Sequence, residues 1–302
     1  MSDDPATPIK GKTILVTGAS GFVGSALALE LCKNNHVYGL ARFTNGAVRR
    51  QLQAAGVSII QKDIRRESLG RLPERFDYVF SELAILYTCD DDPVEAHDVN
   101  TYFVGRLMGW CREASGIVLA STGAVYLPGH HMWSEQGMIA PRNTYGLSKY
   151  GGEVLGRFLC EQWNIPTCIL RYFNPYGVAG GKVTGWARQV AHGEEIAIDR
   201  ANTAVVTPIH ISDCVRYTIE AAHQCQAPAQ VINIGGEAAM DQVEIVSSLA
   251  GDMGKVPKFR DVSEAPPFWT GDVGLMLRLF GPPKVAIRAG LKKIAREVSA
   301  AP

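Results

Sequence analysis

The stretch KTILVTGASGFVG, residues 12–24, decides the fold of this chain. It opens with an apolar, β-branched run, and such a run cut off by glycine is typical of a buried parallel strand. Gly18, Gly21 and Gly24 follow, and residues 25–32 have the composition and apolar spacing of a helix. The N-terminus of such a helix attracts anions, and the glycines let the backbone approach a pyrophosphate. The stretch therefore predicts the phosphate cradle of a dinucleotide site.

The spacing of the three glycines is GxxGxxG, and three glycines before a helix are common in proteins. The pattern is informative here because a strand and a helix flank it. The form TGASGFVG resembles the extended short-chain dehydrogenase/reductase family, in particular its NAD-dependent epimerase/dehydratase group. The resemblance implies that the cofactor is held by Gly18, Ser20, Gly21, Phe22, Val23 and Gly24.

The composition excludes several classes of protein. The 302 residues carry 30 basic and 30 acidic side chains, so charge does not favour nucleic acid as a partner. The seven cysteines have no metal-ligand spacing, which indicates free thiols in a reducing compartment and no metal site. The polar N-terminus lacks the apolar core of a signal peptide, and no apolar run approaches the ~18 residues of a membrane helix. We therefore expect a cytoplasmic protein that binds no membrane.

The second strand is predicted over residues 36–41 and ends at Arg42. At this strand end an acidic residue binds the 2′-hydroxyl of NAD, whereas an arginine accommodates the 2′-phosphate of NADP. Arg42 therefore favours NADP, although an arginine that is simply exposed after a strand fits the sequence equally well. We expect the cofactor to be NAD or NADP.

Further cofactor contacts follow from the resemblance. The family borders the adenine with an Asp-hydrophobic pair, here Asp63 and Ile64, although Asp63 also fits a plain helix cap. After the fourth strand the family usually has His-Leu-Ala-Ala beside the cofactor. In this chain Glu82 stands in place of the histidine, before Leu83 and Ala84.

A long helix is predicted from residue 93 to about residue 114. Its apolar side chains recur at helical spacing and predict a packing stripe of Val99, Phe103, Leu107 and Trp110. The family has an asparagine in this helix that reaches toward the active site, and Asn100 matches it. A lone helical asparagine is also common on protein surfaces.

Tyr145 and Lys149 lie in the stretch NTYGLSKYGGEVL, four residues apart, so on a helix both face the same way. Such a pair also occurs by chance, or as an amphipathic pair on a packed helix. Here it follows a predicted strand that ends in Ser121 and Thr122, which is the motif order of the family. The family places its catalytic hydroxyl four residues before a tyrosine, here Tyr126, so the resemblance implies catalysis by Thr122, Tyr145 and Lys149.

The chemistry that the resemblance implies is hydride transfer with proton transfer. A tyrosine has a reference pKa of about 10, and Lys149 together with a positive nicotinamide ring would favour the phenolate. Tyr145 would then take a proton from a substrate hydroxyl, or return it to a carbonyl oxygen. Thr122 would hydrogen-bond the reacting oxygen, and Tyr145 and Lys149 would also contact the nicotinamide ribose.

Two small residues after Thr122 narrow the reaction. Family members that dehydrate or decarboxylate sugars carry acids where this chain has Gly123 and Ala124. The family's epimerase-reductases that make GDP-fucose use a cysteine near this point, and Ala124 has no thiol. Two reactions remain: a 4-epimerisation, in which a keto sugar forms, rotates and is reduced again, and a ketoreduction that releases its product. A third hypothesis, a sensor that binds NAD(P) without turnover, conflicts with the presence of both Tyr145 and Lys149.

The substrate is expected to be a sugar, by resemblance. The family's passage into its substrate lobe matches the segment that contains Tyr172 and Asn174, and its return segment contains His210. The resemblance implies that Tyr172 contacts the cofactor, and that Asn174 and His210, with Thr122, contact the substrate.

The sequence is compatible with a sugar that carries a nucleotide diphosphate and with one that does not. Family members that bind nucleotide sugars usually carry an arginine shortly before the return segment, because a guanidinium fork suits a diphosphate. Here the nearest arginine is Arg200, and a second family arginine corresponds to Arg260 or to Trp269. The substrate is therefore either held differently or not nucleotide-linked. His130, His131 and Trp133 fit a substrate-facing loop and a solvent-exposed loop alike.

The predicted fold is an α/β, doubly wound, parallel-sheet Rossmann fold with a small C-terminal substrate lobe. The predicted dinucleotide-binding domain comprises residues 1–172 and 204–236, and the lobe residues 173–203 and 237–302. In the family two long helices, here residues 93–114 and 144–162, pair with their copies, so we expect a homodimer. The predicted activity is that of an NAD(P)-dependent, 4-epimerase-like oxidoreductase, with an NADPH-dependent ketoreductase as the alternative.

Overall fold

The computed structural model describes residues 8–70, 75–129, 131–199, 203–263 and 270–300. His130, Arg200 and Trp269 lie outside the described residues. The chain divides into two compact units. The first comprises Met1–Val125, Ile139–Arg171 and Val215–Ile232, and the second comprises Tyr126–Met138, Tyr172–Cys214 and Asn233–Pro302.

A seven-stranded parallel sheet forms the framework of the fold. Its strands in chain order are β1 (Thr13–Thr17), β2 (His36–Ala41), β3 (Ser58–Gln61), β4 (Tyr78–Ser81), β5 (Gly116–Thr122), β6 (Thr167–Tyr172) and β7 (Gln230–Ile234). Their order across the sheet is β7–β6–β5–β4–β1–β2–β3. The reversal of order at β1 is the topology of dinucleotide-binding sheets, so the predicted doubly wound α/β Rossmann fold is confirmed.

Ten α-helices accompany the strands within the described residues. They are α1 (Phe22–Leu31), α2 (Gly46–Ala54), α3 (Pro93–His97), α4 (Phe103–Trp110), α5 (Thr144–Trp163), α6 (Lys182–His192), α7 (Ile211–Glu220), α8 (Gln242–Asp252), α9 (Gly274–Phe280) and α10 (Ile287–Ala300). None of the helices in the described part of the chain is long and apolar enough to cross a membrane.

Short strand pairs complete the second unit. Met132–Trp133 pairs with Thr270–Gly271, Pro175–Tyr176 with Ile209–His210, Glu195–Ile198 with Lys258–Asp261, and Val205–Val206 with Met240–Asp241. Three of these pairs are parallel and the last is antiparallel. Apolar side chains of α6, α8 and α10 form the core of this unit, among them Val183, Ile245, Leu249, Leu291 and Ile294.

The predicted long helix is the main local difference between sequence and structure. It consists of α3, a π-helical turn at Asp98–Tyr102 and α4, which ends four residues before the predicted end. Val99, Phe103 and Leu107 are buried as predicted, but Trp110 is 40% exposed, so its place in the packing stripe was wrong. The buried residue at the next step is Cys111, because the stripe advances by four residues at each turn here.

The core of the first unit lies between the sheet and the helices α4 and α5. It includes Leu15, Val79, Phe103, Leu107, Met108, Ile117, Leu159 and Ile169. Complete burial of one such side chain stabilises the fold by about 1.5–3 kcal/mol. This packing sets the position of α5, which carries Tyr145 and Lys149.

Candidate active site

The glycine turn after β1 fits a pyrophosphate. Gly18 has φ +68°, and a Cβ there would lie 2.7 Å from backbone atoms of Glu82 and Leu83. A Cβ on Gly24 would lie 2.3 Å from the carbonyl oxygen of Gly18. The helix α1 begins after Gly21 with no capping side chain and no acidic residue in its first turn, so its N-terminus is suited to an anion. Ser20, Phe22 and Val23 lie half-buried around the helix start.

The other predicted cofactor residues of the first unit differ in their exposure and in their contacts. Arg42 is exposed at the end of β2. The Asp63 carboxylate accepts hydrogen bonds from the Arg65 guanidinium at 2.8 and 2.5 Å, and this contact lowers the pKa of Asp63 to about 2. Asp63 also accepts from the backbone N–H of Arg65, so it caps a turn, whereas the alternative prediction was a helix cap. Ile64 is buried and Ala84 is exposed.

The structure brings Thr122, Tyr145 and Lys149 together. Thr122 ends β5, and Tyr145 lies in the first turn of α5. A Cβ on Gly146 would lie 2.3 Å from the carbonyl oxygen of Ala124, so the start of α5 packs directly on the turn that follows β5. This close approach allows a hydrogen bond between Thr122 and Tyr145.

Burial controls the charge states of the pair. It raises the pKa of Tyr145 to about 12, while the hydrogen bond with Thr122 acts in the opposite direction. It lowers the pKa of Lys149 to about 8, while the charges of Glu82 and Glu153 act in the opposite direction. In the protein alone Tyr145 is therefore a neutral hydroxyl at neutral pH. Lys149 was expected to favour the phenolate of Tyr145, but desolvation dominates the pKa of Tyr145 in the protein alone.

A buried ion pair next to Lys149 was missed by the sequence analysis. Glu153 accepts hydrogen bonds from Arg171 Nε at 2.9 Å and from Arg171 Nη2 at 2.6 Å, and Ser121 donates to the same carboxylate at 2.5 Å. Both charged side chains are 1% exposed. The available signal was a glutamate one helical turn after Lys149, together with an arginine inside the apolar strand β6.

Asn100 is 2% exposed and connects two parts of the site. Its amide accepts from the backbone N–H of Ile85 at 2.9 Å and donates to the Ile85 carbonyl at 3.0 Å. It also donates to Ser148 Oγ at 2.9 Å. Asn100 therefore ties the loop after β4 to α5 at the residue next to Lys149, and it is not a surface residue.

Two of the predicted substrate residues, Asn174 and His210, lie in the second unit. Asn174 has a left-handed backbone with φ 49°, and its Oδ1 is buried without a hydrogen-bond partner. His210 is 6% exposed, contacts Ser212 Oγ at 2.8 Å and packs edge-on against Tyr176. These contacts favour a packing role for His210, and its substrate contact stays a prediction. Tyr172 is half-buried at the end of β6.

The positions discussed for a diphosphate hold no arginine of the expected kind among the described residues. The run before His210, residues 204–208, contains no arginine, and Val206 within it is 3% exposed. Arg260 is exposed and lies 3.8 Å from Glu195 in a surface ion pair. In the loop after Tyr126, His131 is exposed, while Trp133 donates from Nε1 to the Leu127 carbonyl and is half-buried. Within the described residues there is also no cluster of His, Cys, Asp or Glu that could hold a metal ion.

The strand order and the glycine turn define an α/β protein of the dinucleotide-binding class. Residues 14–235 match the NAD dependent epimerase/dehydratase family, and the chain belongs to that family of enzymes.

Its relatives include proteins named as nucleotide-sugar enzymes. An uncharacterized UDP-glucose epimerase of Bacillus subtilis, YtcB, is 28% identical over 262 residues, which are 80% of this chain and 82% of the relative. A dTDP-4-dehydro-6-deoxy-D-allose reductase of a Streptomyces species is 24% identical over 316 residues, 95% of this chain and 96% of the relative.

A solved structure matches almost the whole chain. It is the UDP-glucuronic acid 4-epimerase of Bacillus cereus in complex with UDP-glucuronic acid and NAD, at a TM-score of 0.85 and 26% identity. The match covers 95% of this chain and 98% of that chain. The cofactor named for that structure is NAD, so the preference for NADP inferred from Arg42 gains no support from it.

Proposed function

We propose that this enzyme is a nucleotide-sugar 4-epimerase that uses NAD. The observation that carries the proposal is the close packing of the start of α5, which bears Tyr145 and Lys149, against the turn after Thr122, with the non-acidic residues Gly123 and Ala124 in that turn. This arrangement supports reversible oxidation of a hydroxyl and lacks the acids of the dehydrating members. Relatives named as UDP-sugar epimerases at 26–28% identity agree with it.

Each residue of the arrangement has a role. Tyr145 takes the proton that leaves the substrate hydroxyl and returns it to the carbonyl oxygen in the reverse step. Thr122 hydrogen-bonds the same oxygen. Lys149 binds the nicotinamide ribose and stabilises the phenolate when Tyr145 gives up its proton. Bound NAD supplies the hydride acceptor and donor. The backbone of Gly18, Gly21 and Gly24 binds the pyrophosphate.

In this proposal Asn174 contacts the substrate. The buried, unpartnered Oδ1 of Asn174 is an acceptor that a ligand donor would satisfy, since a buried polar atom without a hydrogen bond costs about 1–3 kcal/mol. We assign the substrate lobe to residues 173–203 and 237–302. Because residues 204–208 contain no arginine, the diphosphate would be bound by groups other than that guanidinium.

The test combines cofactor release with a direct assay. Freshly purified protein is denatured, and the released small molecules are identified by mass spectrometry. Stoichiometric NAD(H) is expected, together with interconversion at carbon 4 of UDP-glucose or UDP-glucuronic acid by ¹H NMR. A protein that releases no cofactor and leaves both sugars unchanged would contradict the proposal.

A ketoreductase is the second candidate, and the absence of an arginine from residues 204–208, before His210, favours it. The similarity to a 4-keto-sugar reductase at 24% identity is compatible with it. Such an enzyme would consume NADPH in the presence of a keto sugar and would not retain its cofactor. Oxidation of NADPH by a 4-keto sugar, with no epimerisation, would decide in its favour.

Replacement of Tyr145 by Phe separates either enzyme from an NAD(P) sensor. The variant should lose about 10²–10⁴-fold in kcat, because proton transfer is lost, while cofactor affinity stays near the wild-type value. The control is Tyr150→Phe on the same helix, which should keep full activity. Undiminished turnover by Tyr145→Phe would remove Tyr145 from the mechanism.

A further inference from the structure

Ser121 is a buried polar side chain that has no role in the proposed proton and hydride transfer. It is 4% exposed and immediately precedes Thr122, the last residue of β5. Its hydroxyl donates to Oε1 of Glu153 at 2.5 Å, since a carboxylate only accepts hydrogen bonds. Hydrogen bonds to a charged acceptor are about twice as strong as neutral ones. The end of β5 is therefore bound directly to α5.

The carboxylate that accepts this hydrogen bond is itself held from a third element. Arg171, the last residue but one of β6, donates to Glu153 from Nε at 2.9 Å and from Nη2 at 2.6 Å. Both side chains of this ion pair are 1% exposed. Two parallel hydrogen bonds fix the orientation of the carboxylate as well as its position. The hydroxyl, the carboxylate and the guanidinium thus join β5, α5 and β6 near the carboxyl ends of the two strands.

Close packing brings α5 against β5 and its following turn on either side of the hydrogen bond of Ser121. A Cβ on Gly156 would lie 2.7 Å from Leu119 Cδ1, and a Cβ on Gly146 would lie 2.3 Å from the carbonyl oxygen of Ala124. Van der Waals packing sets how near two elements come, whereas a hydrogen bond also has a preferred length and direction. The hydrogen bond therefore fixes the position of α5 along its own axis.

The position of α5 along its axis decides where its catalytic side chains lie. A helix rises about 1.5 Å per residue, so Lys149 and Tyr145 precede Glu153 by about 6 and 12 Å along α5. Thr122 follows Ser121 directly in the chain. A shift of α5 relative to the end of β5 would therefore displace Tyr145 from Thr122 by the same amount. A displacement of about 1 Å between reacting groups can cost about 10²-fold in rate.

We propose that Ser121 is a positioning residue, whose hydrogen bond to the Glu153–Arg171 pair sets the register of α5 against β5 and holds Tyr145 beside Thr122. Ser121 acts through these elements and takes no proton from the substrate. A buried ion pair adds little stability compared with apolar packing, and its best-documented use is to specify register. The consequence for turnover rests on the proposed function. The register itself does not, because it is a property of the protein without substrate.

The test is ¹³C NMR of the full chain labelled at tyrosine Cζ, with the Tyr145 signal assigned by its loss in Tyr145→Phe. Ser121→Ala removes the hydroxyl and leaves the ion pair in place, and it should move the Tyr145 signal toward its position in Thr122→Val. Its kcat should fall about 10-fold or more with KM near the wild-type value, because only the placement of the reacting groups changes. Ser121→Cys has nearly the same size and a weak donor, and should move the signal in the same direction.

The matched control is Ile117→Val, which weakens the core beneath the same strand and leaves the hydrogen bond of Ser121 in place. Ser115→Ala makes the same substitution at an exposed residue directly before β5. Both controls should leave the Tyr145 signal and kcat unchanged. A wild-type Tyr145 signal in Ser121→Ala would overturn the proposal, as would an equal shift in Ile117→Val. A shifted signal in Ser121→Ala, with no turnover by the wild-type protein in any assay, would overturn only the proposed function.

Discussion

Burial shifts the pKa values of the two neighbouring side chains Tyr145 and Lys149 in opposite directions. Burial raises the pKa of Tyr145 and lowers that of Lys149, and both changes favour the uncharged form because a buried charge loses its hydration. A hydrogen bond from Thr122 and the carboxylate of Glu82 oppose these two effects. The pKa values of Tyr145 and Lys149 therefore depend on few neighbours, and single substitutions should change these values measurably.

Thr122→Val should raise the pKa of Tyr145 further, because the hydrogen bond that lowers it is lost. The loss of a donor at the reacting oxygen should reduce kcat about 10²–10³-fold. Since the phenolate then forms only at higher pH, the rise of the pH–rate profile should move to more alkaline pH. Thr122→Ser keeps the hydroxyl and should retain most of the rate. An unchanged profile in Thr122→Val would refute the role of this hydroxyl.

Loss of either charge of the Glu153–Arg171 pair should lower the free energy of unfolding strongly, since each side chain is 1% exposed. Glu153→Gln leaves the buried guanidinium without its charge partner and should lower the free energy of unfolding by about 3–5 kcal/mol. Urea denaturation measures it. In the exposed pair Lys33–Glu30, at 61% and 50% exposure, Glu30→Gln should cost no more than about 1 kcal/mol. Equal losses in both variants would contradict the difference in burial.

At the level of elements, α5 shows why a helix with poor intrinsic propensity is retained. Each glycine in a helix interior costs about 1 kcal/mol relative to alanine. In α5, however, a Cβ on Gly152 would lie 2.5 Å from the carbonyl oxygen of Asn100. A Cβ on Gly146 would lie 2.3 Å from the Ala124 carbonyl oxygen. The glycines let α5 approach the neighbouring backbone, and this approach places Tyr145 next to Thr122.

Gly152→Ala should therefore destabilise the protein, although the same change usually stabilises a helix. The backbone oxygen of Asn100 cannot rotate away as a side chain can, so the two segments must separate. The matched variant is Gly185→Ala in α6, where nothing lies within 4 Å of the added Cβ. That change should stabilise by about 0.4–1 kcal/mol. Thermal unfolding of both variants provides the comparison, and a stabilised Gly152→Ala would show that the close approach is not required.

At the scale of the whole molecule, the outer face of α5 is unusually apolar. Leu147, Val154 and Phe158 are 51%, 50% and 58% exposed, and Tyr102 and Trp110 on the neighbouring helical segments are 61% and 40% exposed. A contiguous exposed apolar patch commonly marks an interface. We propose that a second copy of the chain covers this face, as the family resemblance led us to expect.

Light scattering at micromolar concentration should therefore give the mass of a dimer. The double variant V154E/F158E should give the mass of a monomer, because two buried carboxylates would face the partner helices. Val256→Glu is the control, since Val256 is 87% exposed in the second unit and its change should leave the dimer intact. A monomeric wild-type protein would refute the proposal.

Much of the fold could be read from the sequence, because its determinants are local. The strand β2 has the predicted bounds, β1 precedes the glycine turn as predicted, and β5 ends at Thr122 as predicted. Runs of apolar, β-branched residues and glycine turns depend on backbone preferences that neighbours in sequence decide. The glycine cradle and the Tyr145–Lys149 spacing were predictable for the same reason, because each is a pattern of residues close together in the sequence.

What the tertiary structure decided lies in contacts between residues distant in sequence. The partner of Glu153 is Arg171, the partners of Asn100 are Ile85 and Ser148, and the charge of Glu82 acts on Lys149. The sequence determined the sheet, the glycine turn and the spacing of Tyr145 and Lys149 on one helix, because period and local propensity encode them. Desolvation and charge balance follow only from three-dimensional packing, so the protonation of Tyr145 and Lys149 was decided by the tertiary structure.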